Sequence, residues 1–361
     1  MYTSFTVRNF RCFRELEMKD LARVNLIAGK NNVGKTALLE ALFIHCGRTR
    51  AELLLSVDGH RGIESFRALV PQDTSAAWST VFHSFATEEP IELAGQDEHG
   101  GVSTVAIREL RAPQGLARVA ELLPAQGNGP PRAASTTAAG PVLELTSVPP
   151  CGDGTTHYLV VGPDGVRQHP PPSPVPSMAY YLAARTQIPL SEDAERFKAF
   201  AAERKTQELV KTLQVVDPRL QHLELLPHGG VYMIHADLGI GRLVPLAVAG
   251  DGLRRLASFV LTIANAPGGV LLVDEIENGF HHSILRNVWR VIAEAAQRFD
   301  TQVFAPTHSW ECIVAAHEAF SEALEYDVRV HRLERIGEEI KDVVYDQRTM
   351  AAALDSGFEV R

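Results

Sequence analysis

RVNLIAGKNNVGKTALLEALFIHC, residues 23–46, is the stretch whose reading decides the fold. RVNLIA at 23–28 looks like a strand, GKNNVGKT at 29–36 fits G-x-x-x-x-G-K-[ST] without a mismatch, and ALLEALFIHC continues as an apolar helix. Strand, glycine loop and helix in this order make a phosphate-binding loop. Gly29 and Gly34 let the backbone curl, so that the N–H groups of Lys30, Asn31, Asn32, Val33 and Ala37 can face an anion. Lys35 adds a point charge, and the Thr36 hydroxyl can ligate Mg²⁺. ATP with Mg²⁺ is the expected ligand; the plainer alternative is a glycine-rich turn heading a core helix.

A second half of such a core lies far downstream. VLLVDE from Val270 is a continuous apolar run of the length of a buried parallel strand, and it ends in two carboxylates. QVFAPTH at 302–308 reads as a third strand, and SILRNVWRVIAEAAQRF between them has helical apolar spacing. The βαβ crossover predicts an α/β fold, a P-loop NTPase with a mostly parallel sheet covered by helices. At the end of its strand, Asp274 is placed to hold the metal, and Glu275 to polarise a water as general base. The same pair could instead cap the following helix. His308, in the sequence Thr-His-Ser, would sit beside a γ-phosphate and sense it by a hydrogen bond. VAGDGLRRLASFVLTI from Val248 opens another helix at Gly250, Asp251 and Gly252, either an anion site reached in trans or a capped helix with no ligand.

Between these halves the chain changes character. Residues 124–141 and 163–176 are rich in Pro and Gly and read as loops, flanked by β-like segments such as VLELTSV and HYLVVG. Residues 51–177 are therefore expected to form an inserted β-containing lobe, with the head split into 1–50 and 178–361. A charged helix is predicted over 191–213, inside a helical subregion at 190–225, with Ser191 as its N-cap.

Composition narrows the classes. Hydrophobic residues at 45% and charged residues at 22% describe an ordinary globular protein. A net charge of -9 argues against a generally basic surface, but residues 1–50 carry nine Lys and Arg against four Asp and Glu. That excess is a phosphate-binding face or a solvated surface. Four scattered cysteines form no CxxC pair, no apolar run reaches the ~20 residues of a membrane span, and no leader is visible, so a cytoplasmic home is expected.

In the order P-loop, Gly-Asp-Gly helix, Asp-Glu strand and Thr-His-Ser, the sequence resembles ABC-type ATPase heads of the RecF, SMC and OLD group. NFRCFRELEM at 9–18 looks like that group's opening hairpin, GKNNVGKTALLEAL like its Walker A, and DEIENGFHHSIL like its Walker B and D-loop. LDSGFEVR at the end is similar to single-head OLD-type ATPases. The resemblance covers residues 1–48 and about 240–361. It implies an ATP-dependent head-to-head homodimer in which each nucleotide meets the partner's signature helix. Against the usual LSGGQ, Ala249, Gly250, Asp251 and Gly252 stand for Ser, Gly, Gly and Gln, so the serine hydroxyl is missing, while Arg255 keeps a basic position. Gln187 in LAARTQIP is the candidate Q-loop metal ligand. Only about fifty residues follow His308, too few for the nuclease domain of OLD proteins. The resemblance therefore implies a separate nuclease partner in anti-phage defence or DNA repair, and leaves DNA open as a contact. Two other readings stand beside it: the nucleotide-binding subunit of a membrane transporter, and an ATP-dependent binding module without turnover.

Overall fold

The computed structural model describes residues 1–60, 76–110, 117–119, 142–162, 165–173, 179–183 and 190–361. Gln187 and the 124–141 segment lie outside the described residues.

Three strands carry the architecture: β3 (Val24–Ala28), β13 (Val270–Val273) and β14 (Gln302–Pro306), each buried along its whole length. They sit in a six-stranded sheet of order β16-β15-β3-β14-β13-β9, completed by β9 (Ala179–Leu182), β15 (Val328–Ile336) and β16 (Glu339–Tyr345). All neighbours run parallel except the β15–β16 pair. The pleat explains why these runs are mostly apolar rather than alternating, with Asn25 and Gln302 as buried polar exceptions. Leu26, Leu271, Val273, Val303 and Ala305 face one core, and Ile27, Leu272 and Phe304 face the other.

Over the second face lies α1 (Lys35–Cys46), ten of whose twelve residues are buried. Such a helix is mostly apolar on every side because it lies between two layers, with Lys35, Glu40 and His45 as its buried polar residues. The outer layer is a seven-stranded antiparallel sheet, order β2-β1-β4-β5-β6-β7-β8. Its strands are β1 (Tyr2–Phe10), β2 (Phe13–Met18), β4 (Ile91–Asp97), β5 (Val102–Leu110), β6 (Val142–Val148), β7 (Thr155–Gly162) and β8 (Gly165–His169). Strands β4 to β8 thus extend the N-terminal hairpin, β4 pairing directly with β1. β8 falls within the stretch read as loop from its prolines. It pairs with β7 from Gly162–Gly165 back to Tyr158–His169, ending where the prolines begin.

Gln302 ties the two layers. Its side chain is buried, its amide oxygen accepts from Tyr2 N at 2.8 Å, and its Nε2 donates to the carbonyls of Tyr2 and Ala22, each at 2.8 Å.

The first face is covered by helices. Between Ser191 and Leu213 the structure has two, α2 (Leu190–Ala202) and α3 (Thr206–Leu213), not the single helix the sequence predicts. Arg204 takes a left-handed conformation, φ 59°, and the break lets Phe197 and Phe200 on one helix and Leu209, Val210 and Leu213 on the other reach one core. Ser191 lies inside the first helix rather than at its cap. Then come a small sheet of β10 (His222–His228), β11 (Val231–Asp237) and β12 (Leu243–Pro245), and α4 (Asp251–Ala264). In α5 (Leu285–Arg298), Leu285, Val288, Trp289, Ile292 and Ala296 repeat at spacings of three and four and are buried. The Trp289 indole donates to Cys312 O at 3.2 Å, fixing this helix to α6 (Trp310–Ser321). The chain closes with α7 (Gln347–Asp355), whose N-cap Asp346 and Thr349 form a capping box.

Candidate nucleotide site

Three neighbouring strands release their chains at the same edge. The loop after β3 holds residues 29–36, β14 runs into Thr307 and His308, and β13 runs into Asp274 and Glu275. Carboxyl ends of parallel strands are where α/β sheets place ligands. A cleft of about 1020 Å³ opens there, lined by residues 31–37 of the loop and by Asp274, Glu275 and His308.

The loop needs its glycines. Gly29 and Gly34 have φ of 129° and 107°, conformations closed to residues with a Cβ. A Cβ on Gly34 would stand 2.5 Å from Cys12 Sγ and 2.7 Å from Phe13 Cζ, so the NFRCF turn between β1 and β2 packs against the loop. Lys35 folds back, donating from Nζ to Gly29 O at 2.5 Å and Lys30 O at 3.0 Å, and meeting His308 Nδ1 at 3.2 Å. Burial lowers its pKa from the ordinary lysine value to about 8, opposed by Asp274, Glu277 and Glu275. Burial and then the Lys35 charge lower that of His308, which leaves its Nδ1 a lone pair to accept from the ammonium.

Thr36 Oγ1 donates to Asp274 Oδ2 at 3.4 Å, bringing two hard oxygen donors together from different elements. Among the described residues no group of three or more His, Cys, Asp or Glu could hold a metal ion. One hydroxyl and one carboxylate fit an ion that keeps water and substrate phosphate as its other ligands, the habit of Mg²⁺. Burial, and next the Glu275 charge, raise the pKa of Asp274, a cost that a cation there would offset.

Glu275 has φ 50°, left-handed for a residue with a long side chain. Asn278 Nδ2 donates to its Oε2 at 2.5 Å, and Arg255 Nη2 donates to the carbonyls of Asp274 (3.0 Å) and Glu275 (2.7 Å). Glu277 Oε1 accepts from His308 N at 3.0 Å. Sequence reasoning gave Glu277 and Asn278 no task. Their signal was present, in polar residues two and three positions after Glu275 where the apolar strand had already ended.

Arg11, read only as part of a hairpin, also lines the cleft, and its Nε donates to the buried Glu40 at 3.1 Å. Of the nine basic residues in 1–50, Arg8, Arg11, Lys19 and Arg23 form ion pairs within the chain. Of these four, Arg8 and Arg23 reach carboxylates outside this segment, at Glu92, Asp300 and Asp327, so the local positive excess is offset in part.

Gly250, Asp251 and Gly252 are not brought into this cleft. Gly250 is the N-cap of α4, with no side-chain cap hydrogen bond, so the first amides of the helix keep no side-chain acceptor. Gly252 abuts the turn after β13 closely enough that a Cβ would lie 2.8 Å from Gly279 O.

Residues 1–58 match the family described as "AAA ATPase domain", and residues 166–313 match "AAA domain, putative AbiEii toxin, Type IV TA system". A Helicobacter pylori protein named "ATP/GTP phosphatase" is 22% identical over 340 residues, 87% of this chain and 86% of its own length. An uncharacterised Methanocaldococcus jannaschii protein is 48% identical over 42 residues, 12% of this chain and 19% of its own. Among solved structures, an SMC head bound to the C-terminal winged-helix domain of ScpA superposes with a TM-score of 0.51 at 12% identity, covering 97% of this chain and 99% of its own. An Smc head with an extended coiled coil, bound to the C-terminal domain of ScpA derived from Pyrococcus furiosus, gives 0.50 at 10%, covering 98% of each. Three strand ends converge on one phosphate loop, two segments match AAA ATPase domain families, and the chain has the P-loop NTPase fold of the SMC heads it is similar to.

Proposed function

We propose that this chain binds ATP with Mg²⁺ and hydrolyses it, in a homodimer of heads that regulates a separate partner protein. The observation that carries the reading is the convergence of Lys35, Thr36, Asp274, Glu275 and His308 on one cleft from three strand ends. When bound, the metal supplies charge neutralisation at the β- and γ-phosphates. Lys35 exchanges its loop carbonyls for phosphate oxygens. Glu275, held by Asn278, takes the proton of the attacking water, and His308 keeps hydrogen-bond contact with the γ-phosphate. The name of the Helicobacter pylori relative supports turnover over a site that only binds.

The exposed N-terminus of α4 supports the dimer. Its amides have no side-chain cap, and Val248 just before it is 76% exposed. In a pair of heads these amides would meet the partner's γ-phosphate without the serine that Ala249 replaces. Gln187, as a further metal ligand, and the division into a head and a 51–177 insertion belong to the same proposal. A nuclease partner, DNA contact, a cytoplasmic setting and an anti-phage or repair role rest on the RecF/SMC/OLD resemblance.

Glu275→Gln tests both clauses at once. Phosphate release should fall by about 10²–10⁴-fold while ATP binding persists. With ATP the variant should sediment as a dimer at micromolar concentration. Unchanged turnover defeats the general base, and a strictly monomeric species defeats the dimer. Lys35→Ala should abolish ATP binding; retained affinity would defeat the site.

A further inference from the structure

Away from the candidate nucleotide site, a second cleft of about 990 Å³ opens between β2, the edge strand of the antiparallel sheet, and β16, the edge strand of the six-stranded one. None of its lining residues lines the first cleft. Among the described residues it presents eight carboxylates against four cationic side chains. Part of that charge is met internally. Arg8 is shared between Glu15 and Glu92, Lys19 pairs with Glu17, and Lys341 pairs with Glu339. Asp20, Glu89 and Glu338 are left without an ion pair among the described residues.

Asp342 stands apart from this solvated rim. β16 puts Ile340, Asp342 and Val344 on one face, where a period of two with a buried side calls for apolar residues. The Asp342 side chain is 3% exposed, and its Oδ2 accepts from Nδ1 of the fully buried His331 at 2.8 Å. Its Oδ1, in the wall of the cleft, is buried and has no partner among the described residues. A buried carboxylate oxygen carries its full desolvation cost until a donor reaches it, and here the open side is the cleft.

The spacing of the acids selects the donor. A divalent metal needs several oxygens closed round one point, and no group of three or more His, Cys, Asp or Glu among the described residues is arranged so. The unpaired carboxylates are strung out instead. Glu338, just before β16, and Asp342, within it, are separated by roughly 10 Å or more of extended chain. Asp20 and Glu89 come from the antiparallel sheet, after β2 and before β4. Leu16, Pro90, Ile340 and Val344 line the same cleft and offer surface to methylene groups, as apolar surface does to a lysine stem whose ammonium stays among polar groups.

We propose that this cleft binds a linear polyamine, an alkyl chain bearing two or more ammonium groups, with one ammonium donating to Asp342 Oδ1 and the others meeting Glu89 and Glu338. Each contact is a charge-assisted N–H···O bond, and the one at Asp342 forms where water is largely excluded.

Calorimetric titration of the full chain with spermidine, at low salt and without nucleotide, reads the site. One saturable site is expected, with n-butylamine and Mg²⁺ each weaker by about tenfold or more. Asp342→Asn keeps the shape and an oxygen to accept from His331 while removing the charge, and should weaken spermidine on the order of tenfold. Because that side chain is buried, the exposed pair Glu89→Gln with Glu338→Gln serves as a second variant, with a loss of similar size. Glu195→Gln, which removes an exposed carboxylate from α2, should change nothing. Absence of saturable binding, unchanged spermidine affinity in either cleft variant, or an equal loss in Glu195→Gln overturns the site. Butylamine binding as tightly as spermidine overturns the polyamine, and Mg²⁺ that displaces spermidine at equal concentration overturns the choice of an organic cation over a metal.

Discussion

Lys35 is a charge held in a place that disfavours it. Its pKa near 8 lies below the ordinary value of 10.5, so the folded chain releases this proton before the unfolded chain does. The sign follows: this residue's contribution to stability rises with pH between about 8 and 10.5. Ligand affinity runs the other way. An anionic triphosphate favours the ammonium, so ATP affinity should be full below pH 8 and fall by up to about tenfold per pH unit above it. Fluorescence titration with an ATP analogue from pH 6.5 to 9.5 checks this, and a flat profile would refute the assignment. Asn278 makes a second prediction at this scale. Asn278→Ala frees the Glu275 carboxylate, so kcat should drop about tenfold while nucleotide Kd stays constant. Equal change in both would mean that Asn278 acts on binding.

At the scale of elements, the helix α4 does more than the sequence suggested. Reading Gly250, Asp251 and Gly252 against a signature motif pointed outward, to a second subunit. The structure adds an inward connection: Gly252 touches the turn after β13, and Arg255 donates to the backbone carbonyls of Asp274 and Glu275. Its guanidinium also lies 5.2 Å from the Phe259 ring centroid. Anything that shifts the helix N-terminus therefore shifts Asp274 and Glu275. Gly252→Ala should push α4 off the Gly279 carbonyl, destabilising the fold by about 1–3 kcal/mol. It should also lower turnover more than nucleotide affinity. Thermal melts beside steady-state kinetics measure the two effects, and a variant with wild-type kcat would show that the contact is mere packing.

For the whole molecule, the junction of the two large sheets decides whether the P-loop keeps its shape. The NFRCF turn that braces Gly34 belongs to the antiparallel sheet, whereas the loop itself leaves the parallel one. Gln302 joins these layers through three hydrogen bonds to backbone groups of Tyr2 and Ala22. Gln302→Leu keeps much of the volume but strands those groups, at a cost of about 1–3 kcal/mol for each that finds no water. A lowered midpoint in urea with unchanged slope is the expected result.

Sequence alone determined the parts whose meaning is local. Gly29, Gly34, Lys35 and Thr36 sit within one turn, so their spacing already states which backbone curl and which charges they supply. The strands β3, β13 and β14 were legible because strands covered on both faces are near-continuous apolar runs. Tertiary structure alone decided what depends on distant partners. The break at Arg204, the strand hidden in the proline-rich stretch at 165–169, and the clamp of Asn278 on Glu275 each answer to neighbours that composition and periodicity do not reveal. So does the set of side chains that share the cleft with residues 31–37, since that is fixed by what the fold brings together.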